Sequence, residues 1–145
     1  MRLKVVVGPL GHGLIAGQSL KAGDAVITLE GAFVDSPTRY TIQFGPDRHL
    51  QPTDQLWAFL NHSCDPNLRV DIERKAMVAT SNIQEGEALT FNYLTTEWEM
   101  AEPFQCQCGS SNCHGTIAGS KFVCPEHGHS LIVWEMSAGI EVIVP

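Results

Sequence analysis

The chain has 145 residues, 43% of them hydrophobic and 17% charged, which predicts one soluble globular domain. Its formal net charge of −7 argues against direct nucleic-acid binding and suits a basic partner, such as a lysine-rich peptide. Because no apolar run approaches the roughly 20 residues of a membrane span or forms a signal peptide, we expect no membrane contact and an intracellular protein, cytoplasmic in a prokaryote and nuclear in a eukaryote.

Most of the chain consists of short apolar runs separated by turn residues. Alternating or β-branched runs predict strands at residues 3–7, 25–29, 40–44, 68–72, 76–79 and 88–91, with a hairpin turn within 71–75. One short helix is predicted at residues 55–60, with Thr53 or Asp54 as its N-cap. The sequence therefore predicts a mainly β fold of several small antiparallel sheets.

The composition changes near Pro103. Residues 104–119 are rich in cysteine and glycine and poor in large apolar side chains, which is typical of a metal-held loop. Two apolar runs follow, at 130–135 and 140–144, and predict a terminal hairpin. We therefore divide the chain into a main domain (1–103), a metal-binding segment (104–119) and a C-terminal extension (120–145).

Three cysteines, Cys106, Cys108 and Cys113, lie within eight residues and supply three thiolates for a zinc ion. A structural zinc site takes four ligands, so a fourth must come from elsewhere. The candidates are Cys64, Cys124 and, more weakly, His114 and His127. With Cys64 the metal would tie the C-terminal segment to residues 61–64, whereas with Cys124 it would be a local knuckle.

Four segments follow one another in a recognisable order. They are Gly11-His12-Gly13, residues 61–67 (Asn-His-Ser-Cys-Asp-Pro-Asn), residues 86–93 (Gly-Glu-Ala-Leu-Thr-Phe-Asn-Tyr) and residues 104–115 (Phe-Gln-Cys-Gln-Cys-Gly-Ser-Ser-Asn-Cys-His-Gly). Over roughly residues 5–119 the chain resembles the SET-domain protein lysine methyltransferases with a post-SET zinc motif. Since no cysteine precedes Cys64, it looks like the compact members found in bacteria, archaea and viruses.

The resemblance implies a knot-like β-clip fold in which residues 61–64 are threaded beside the strand that carries Tyr93. It implies S-adenosylmethionine (SAM) as the cofactor, which enters from one face while the target lysine enters through a narrow tunnel from the other. It also implies a structural zinc ion. The implied zinc ligands are Cys64, Cys106, Cys108 and Cys113, which leaves Cys124 as a spare thiol.

The resemblance also assigns residues to the cofactor. The implied SAM contacts are Gly11, His12, Gly13, Tyr40, Asn61, His62, Tyr93, Phe104 and Ile117. Glycines permit close approach of the backbone because no Cβ intervenes. Phe104 and Ile117 are expected to cover the adenine, and Tyr40 to border both SAM and the tunnel.

The implied catalytic residues are Tyr93, Phe91 and Tyr40. Tyr93 is expected to position the methyl group and the amine, and Phe91 lies two residues earlier, on the same side of a strand. Because Phe91 has no hydroxyl to hold a water in the tunnel, we predict di- or trimethylation.

The resemblance implies methylation of a protein lysine, with a histone or histone-like tail as one possible substrate and a homodimer as one possible assembly. A catalytically silent module that binds a basic partner is the alternative. A thiol hydrolase that uses Cys64 is a third hypothesis, and it requires Cys64 to be free and reactive.

Overall fold

A computed structural model describes residues 3–9, 11–123 and 132–134, and it confirms a mainly β fold of small sheets. Within these residues there are twelve short strands. They are β1 (Leu3–Gly8), β2 (Gly11–Ala16), β3 (Ala25–Thr28), β4 (Ala32–Val34), β5 (Ile42–Gly45), β6 (Arg48–Gln51), β7 (Asn61–His62), β8 (Leu68–Asp71), β9 (Ala76–Ala79), β10 (Thr90–Phe91), β11 (Phe104–Gln105) and β12 (Thr116–Ile117). Three short 3₁₀ helices cover Leu56–Phe59, Tyr93–Thr95 and Ser120–Phe122.

The first hairpin, β1–β2, covers one side of the core. Its strands pair antiparallel from Leu3 opposite Ala16 to Gly8 opposite Gly11. Leu14 and Ala16 are buried, and the β2 backbone also bonds to the segment before β10, since Leu89 N–H donates to the Leu14 carbonyl at 2.9 Å. The hairpin is thereby fixed to the part of the chain that leads to Tyr93.

The sheet β3–β9–β8 supplies much of the core. Its β8–β9 hairpin confirms the turn predicted within residues 71–75, where Lys75 adopts a φ of 50°. Asp71 stabilises this turn by accepting from the Arg74 backbone N–H at 3.1 Å. Val70 and Met77 point inward and are almost completely buried.

The sheet β4–β6–β5 forms the other wall of the core. Strand β5 begins at Ile42, two residues later than the predicted strand at 40–44, and Tyr40 lies in the turn before it. The sequence did not predict β4 and β6, because they have only three and four residues and little apolar alternation. Leu50 of β6 is nevertheless fully buried.

A parallel pair of strands, β7 and β10, lies at the centre of the fold. Asn61 of β7 lies opposite Thr90 of β10, and His62 lies opposite Phe91. Asn67 fixes the loop that follows β7, since its side chain donates to the Ala88 carbonyl at 2.8 Å and accepts from the Thr90 N–H at 3.0 Å. Residues 61–67 therefore lie against the strand that leads to Tyr93.

The predicted helix at 55–60 is a four-residue 3₁₀ helix, Leu56–Phe59, and its predicted N-cap is wrong. Gln55 occupies the cap position without a side-chain bond, while Asp54 has a positive φ of 52°. The chain must become extended by Asn61 to pair with β10, and so few residues do not sustain an α-helix. Trp57 anchors the turn by donating its indole N–H to the Glu30 carbonyl at 3.0 Å.

The C-terminal extension is described only at residues 132–134. Ile132 is fully buried, Val133 packs against the main core, and the Trp134 indole donates to the Thr96 carbonyl at 2.7 Å. The predicted hairpin at 130–135 and 140–144 otherwise lies outside the described residues, as does Cys124. None of the described helices has the length and apolar character needed to cross a membrane.

Candidate active site

Two cavities meet at Tyr93. The larger has a volume of about 630 Å³ and extends from the β1–β2 turn to Phe104, while the smaller has a volume of about 40 Å³ and extends towards Phe91 and Glu97. Both cavities are lined by Arg39, Tyr40, Ala58, Leu60, Tyr93, Met100 and Glu102. The site thus has a wide compartment and a narrow compartment with a common wall that includes Tyr40 and Tyr93.

Tyr93 is held at this junction from three sides. Its hydroxyl donates to the Leu60 carbonyl at 2.6 Å, its backbone N–H donates to His62 Nδ1 at 3.0 Å, and its ring lies 4.9 Å from the Phe91 ring. Burial, and secondarily the charge of Glu97, raises the pKa of the Tyr93 hydroxyl well above its usual value, against a smaller lowering by Arg39. Tyr93 is therefore a fixed, neutral group and not a proton acceptor.

His62 connects Tyr93 to the cysteines. Because Nδ1 accepts the Tyr93 N–H, a neutral His62 ring carries its proton on Nε2, which lies 3.3 Å from Cys64 Sγ and donates to it. Burial, followed by the nearby His114, lowers the pKa of His62 to about 4. The ring is thus a neutral link between the junction of the cavities and the sulfur cluster.

The β1–β2 turn and Asn61 form one wall of the large cavity. The Asn61 amide donates to the His12 carbonyl at 3.0 Å, and a Cβ at position 13 would lie 2.9 Å from that amide nitrogen. Gly11 has a φ of 100°, a conformation that favours glycine. The His12 ring lies 5.0 Å from the Phe59 ring. Both glycines predicted from the resemblance therefore occupy positions where a side chain is unfavourable.

Phe104 forms the opposite wall, while Ile117 lies behind it. The Phe104 ring is 37% exposed and lies 5.8 Å from the His62 ring and 5.9 Å from the Tyr93 ring. Ile117 pairs with Phe104 across β11–β12 but is fully buried beside Cys64 and is not among the residues that line the large cavity. The contact between Ile117 and the cofactor stays a prediction.

One part of the small cavity's wall is apolar and buried. Ile42, Trp57 and Phe91 line it and are almost completely buried. Tyr40 lies at its outer part, 44% exposed, with the Arg39 guanidinium 5.4 Å from its ring centroid. The structure thus places Phe91 and Tyr40 on the same cavity as Tyr93.

Glu97 also lines this cavity, although no sequence motif predicted it. Its carboxylate is buried, and Oε2 accepts from the Gln43 backbone N–H at 2.8 Å and from the Thr96 hydroxyl at 2.7 Å. Burial raises the pKa of Glu97 to about 7, against the smaller lowering effect of these two bonds. Since Glu99 and Glu102 follow it closely, no local pattern marks Glu97 as the buried one.

The four cysteines implied by the resemblance lie together. Their Sγ atoms are all within 4.8 Å of one another, and Cys64 Sγ is 4.0 Å from Cys106 Sγ. Tetrahedral zinc with bonds of about 2.3 Å needs sulfurs about 3.8 Å apart, so the four thiols fit a structural zinc ion. Backbone N–H groups also donate to the sulfurs, including His114 N–H to Cys64 Sγ at 3.3 Å. Cys64 is therefore a member of a closed cluster and not a free nucleophile.

A family model described as "SET domain" matches residues 11–94. The chain is 37% identical over 106 residues to methyltransferase flvH of Aspergillus flavus, and the match covers 71% of this chain and 59% of that protein. It is 33% identical over 132 residues to the H3 lysine-36 specific histone-lysine N-methyltransferase of Chaetomium globosum, covering 75% of this chain and 15% of the relative.

The fold is also similar to a solved structure of KRYPTONITE in complex with mCHH DNA, an H3(1-15) peptide and SAH. The TM-score is 0.63 at 25% sequence identity, over 79% of this chain and 29% of that one. This chain therefore spans only part of the length of each of these proteins.

Proposed function

The chain belongs to the SET-domain family, and we propose that it transfers a methyl group from S-adenosylmethionine to the ε-amine of a lysine in a protein substrate. The observation that carries this proposal is the meeting of a wide and a narrow cavity at Tyr93. A methyl donor and an amine must approach one another in line, and two compartments with one shared wall provide that arrangement. The names of the relatives, which include a methyltransferase and histone-lysine methyltransferases, agree with it.

The wide cavity suits the cofactor. Its volume of about 630 Å³ lies within the range of roughly 300–1,000 Å³ that small-molecule sites occupy. Asn61 and His62 offer polar groups to this cavity, and the partly exposed Phe104 ring offers a flat apolar face. When bound, S-adenosylmethionine supplies an electrophilic methyl group on a positively charged sulfur.

The narrow cavity suits a lysine side chain. Its buried wall of Ile42, Trp57 and Phe91 removes water from an amine whose pKa in water is about 10.4. Desolvation disfavours the charged ammonium and so promotes the neutral nucleophile. Tyr93 gives its hydroxyl hydrogen to Leu60, so its oxygen lone pairs remain for weak contacts with the methyl group.

The cysteine cluster suits a structural zinc ion. Cys64, Cys106, Cys108 and Cys113 would hold it, and the ion would fix the segment that carries Phe104 next to His62. The four protein sulfurs would complete the coordination of the ion and leave no open position for substrate. The ion would therefore stabilise the Phe104 wall of the wide cavity.

We propose a histone or histone-like tail as the substrate and the di- or trimethyl state as the product. Support for the substrate comes from the H3 lysine-36 specific relatives, from the H3 peptide in the KRYPTONITE complex and from the net charge of −7. Support for the product comes from Phe91, whose ring lines the narrow cavity without a hydroxyl to hold water.

The direct test is radiolabelled methyl transfer from S-adenosylmethionine to histones and to a cell lysate, with mass spectrometry of the product lysine. We expect transfer by the natural protein and a loss of about 100-fold in Tyr93→Phe, because the methyl and amine lose their positioning group. Product that stays monomethylated after long reaction with excess cofactor would overturn the assignment of the methylation state.

A measurement of S-adenosylmethionine binding distinguishes the remaining hypotheses. Cofactor binding with no modified protein would favour a silent module that binds a basic partner. Absence of both binding and transfer would overturn the proposed activity. Equal transfer by Tyr93→Phe would show that Tyr93 is not the positioning residue.

A further inference from the structure

Glu97 is a buried acid on the wall of the narrow cavity. It is 6% exposed and lines this cavity together with Phe91 and Tyr93. Both of its hydrogen bonds fall on one oxygen, Oε2, which accepts from Gln43 N–H and the Thr96 hydroxyl. Across the described residues, no hydrogen bond reaches Oε1, so one carboxylate oxygen remains for a ligand.

No cation of the described chain neutralises this acid. The ion pairs there join Arg74 to Asp71 and Lys121 to Glu99, and neither includes Glu97. The other titratable groups that line the narrow cavity are Arg39, Tyr40, Tyr93 and Glu102. A buried carboxylate without a cationic partner is costly, and a substrate ammonium in the same cavity would supply the missing charge.

We propose that Glu97 is a catalytic residue that accepts a proton from the substrate ammonium. An N–H bond of the ammonium breaks, its electron pair stays on nitrogen as the nucleophilic lone pair, and the proton bonds to Glu97 Oε1. The proton then passes to solvent before the next methylation. This inference rests on the proposed lysine methylation and adds an acid–base group to it.

Physical chemistry favours this transfer in a dry cavity. Burial raises the pKa of Glu97 to about 7, while the same desolvation lowers the pKa of the amine. The two values approach one another, so the proton moves between the groups at small cost near neutral pH. Tyr93 cannot accept the proton in this way, because its hydroxyl is already neutral and donates to Leu60.

Glu97 also has a structural role, which the experiment must distinguish from proton acceptance. Its bond to Gln43 N–H joins the segment after Tyr93 to β5, and the Gln43 side chain accepts from Trp98 N–H at 2.9 Å. Glu97→Gln retains an oxygen that can accept from Gln43 N–H while it removes the ability to accept a proton. A structural role alone therefore predicts little change in this variant.

The experiment measures kcat for methyl transfer from pH 6 to 9 in the natural protein, in Glu97→Gln and in Glu99→Gln. Glu99 is a matched control because it is two residues away, is 59% exposed and pairs with Lys121. For the natural protein we expect kcat to rise with pH up to about 7 and then level off, since the ionised carboxylate is the acceptor. Glu99→Gln should have the same profile.

For Glu97→Gln we expect kcat to fall about 100-fold at pH 7 and to rise about tenfold per pH unit up to pH 9. Without the acceptor, the rate follows only the fraction of amine that is already neutral. Zinc content and cofactor affinity should equal those of the natural protein, which shows that the fold is intact.

Two results would overturn the role of Glu97 and leave the proposed function in place. One is a Glu97→Gln profile that coincides with that of the natural protein. The other, which needs no variant, is a natural-protein kcat that rises tenfold per pH unit up to pH 9 without a plateau. Absence of methyl transfer by the natural protein at every pH would instead overturn the proposed function, and this inference with it.

Discussion

The two sides of the candidate site are held together by different forces. The narrow cavity and the β1–β2 wall rest on a large apolar core that includes Leu14, Leu50, Met77 and Phe91. The wall that carries Phe104 packs against a much smaller buried cluster, which consists of Cys64, Leu94, Cys106 and Ile117. The narrow cavity and the β1–β2 wall of the wide cavity are therefore stabilised by the hydrophobic effect, whereas the Phe104 wall of the wide cavity would depend on a metal held by the four cysteines.

Because different interactions stabilise the two regions, each can be perturbed separately. His62 lies in β7, which pairs with β10 at the centre of the fold. Cys64, two residues later in the chain, belongs to the cysteine cluster. Removal of the metal should loosen the Phe104 wall and leave the core strands in place. Changes in the core should alter stability first and cofactor binding second.

The largest expected effect follows removal of the metal, by a strong chelator or by Cys106→Ser. Methyl transfer should be lost, because structural zinc in small sites supplies on the order of 10 kcal/mol of local folding energy. Hydrogen exchange should show fast amides at residues 104–117, while Leu50 and Met77 in the buried strands stay protected.

Cys124→Ser is the matched control for metal removal and should retain one zinc ion per chain. Loss of protection in the core strands together with residues 104–117 would contradict the separation of the two sides. It would mean that the metal also stabilises the main core.

A smaller effect is expected from Gly13→Ala, which probes the β1–β2 wall. The new Cβ would lie 2.9 Å from the Asn61 amide nitrogen, so that side chain must move away from the His12 carbonyl. Overpacking of this kind costs roughly 1–3 kcal/mol, and we expect cofactor affinity to fall about tenfold by calorimetry.

Gly8→Ala is the matched control on the same hairpin, because no heavy atom lies within 4 Å of its added Cβ. Its cofactor affinity should equal that of the natural protein. An equal loss in both variants would indicate that the hairpin tolerates no added methyl group and that the Asn61 contact is not the reason.

The smallest effect is expected from Trp134→Phe, which tests the contact between Trp134 and Thr96, the residue before Glu97. The variant loses the indole hydrogen bond to the Thr96 carbonyl, and we expect the free energy of unfolding to fall by about 1 kcal/mol. Cofactor affinity should not change, since Trp134 does not line the large cavity.

Trp98→Phe is the control, because it makes the same substitution at an exposed tryptophan. Trp98 is 45% exposed, and its loss should change the free energy of unfolding by less than about 0.5 kcal/mol. If Trp134→Phe loses more free energy of cofactor binding than free energy of unfolding, Trp134 supports the cofactor cavity. That result would contradict the separation of the two regions.

Local sequence patterns predicted several elements closely. The strand at residues 76–79 has the observed bounds, and the turn within 71–75 joins β8 to β9 as expected, because alternation and turn residues are local properties. Local patterns failed where pairing partners are distant. Strands β4 and β6 carry weak alternation, and the Thr53 or Asp54 cap is absent because the turn must deliver Asn61 to β10.

The candidate site was predictable as far as it resides in motifs. The ordered segments around Gly13, Asn61, Tyr93 and the clustered cysteines named the groups that the structure brings together. Glu97 could not be found in this way. Its neighbours in the chain are also acidic, and only the packing of β5 against the segment after Tyr93 makes it the buried one.

The β character of the protein, the cysteine set suited to zinc and the family to which the chain belongs all follow from the amino-acid sequence alone. Spacing and residue type carry this information, since each motif is a short continuous segment. The hydrogen bond from the Tyr93 hydroxyl to the Leu60 carbonyl, 33 residues away, and the position of Glu97 on the same narrow cavity are visible in the three-dimensional structure and not in the sequence. Burial and pairing across such distances depend on the threading of β7 beside β10, which no local pattern records.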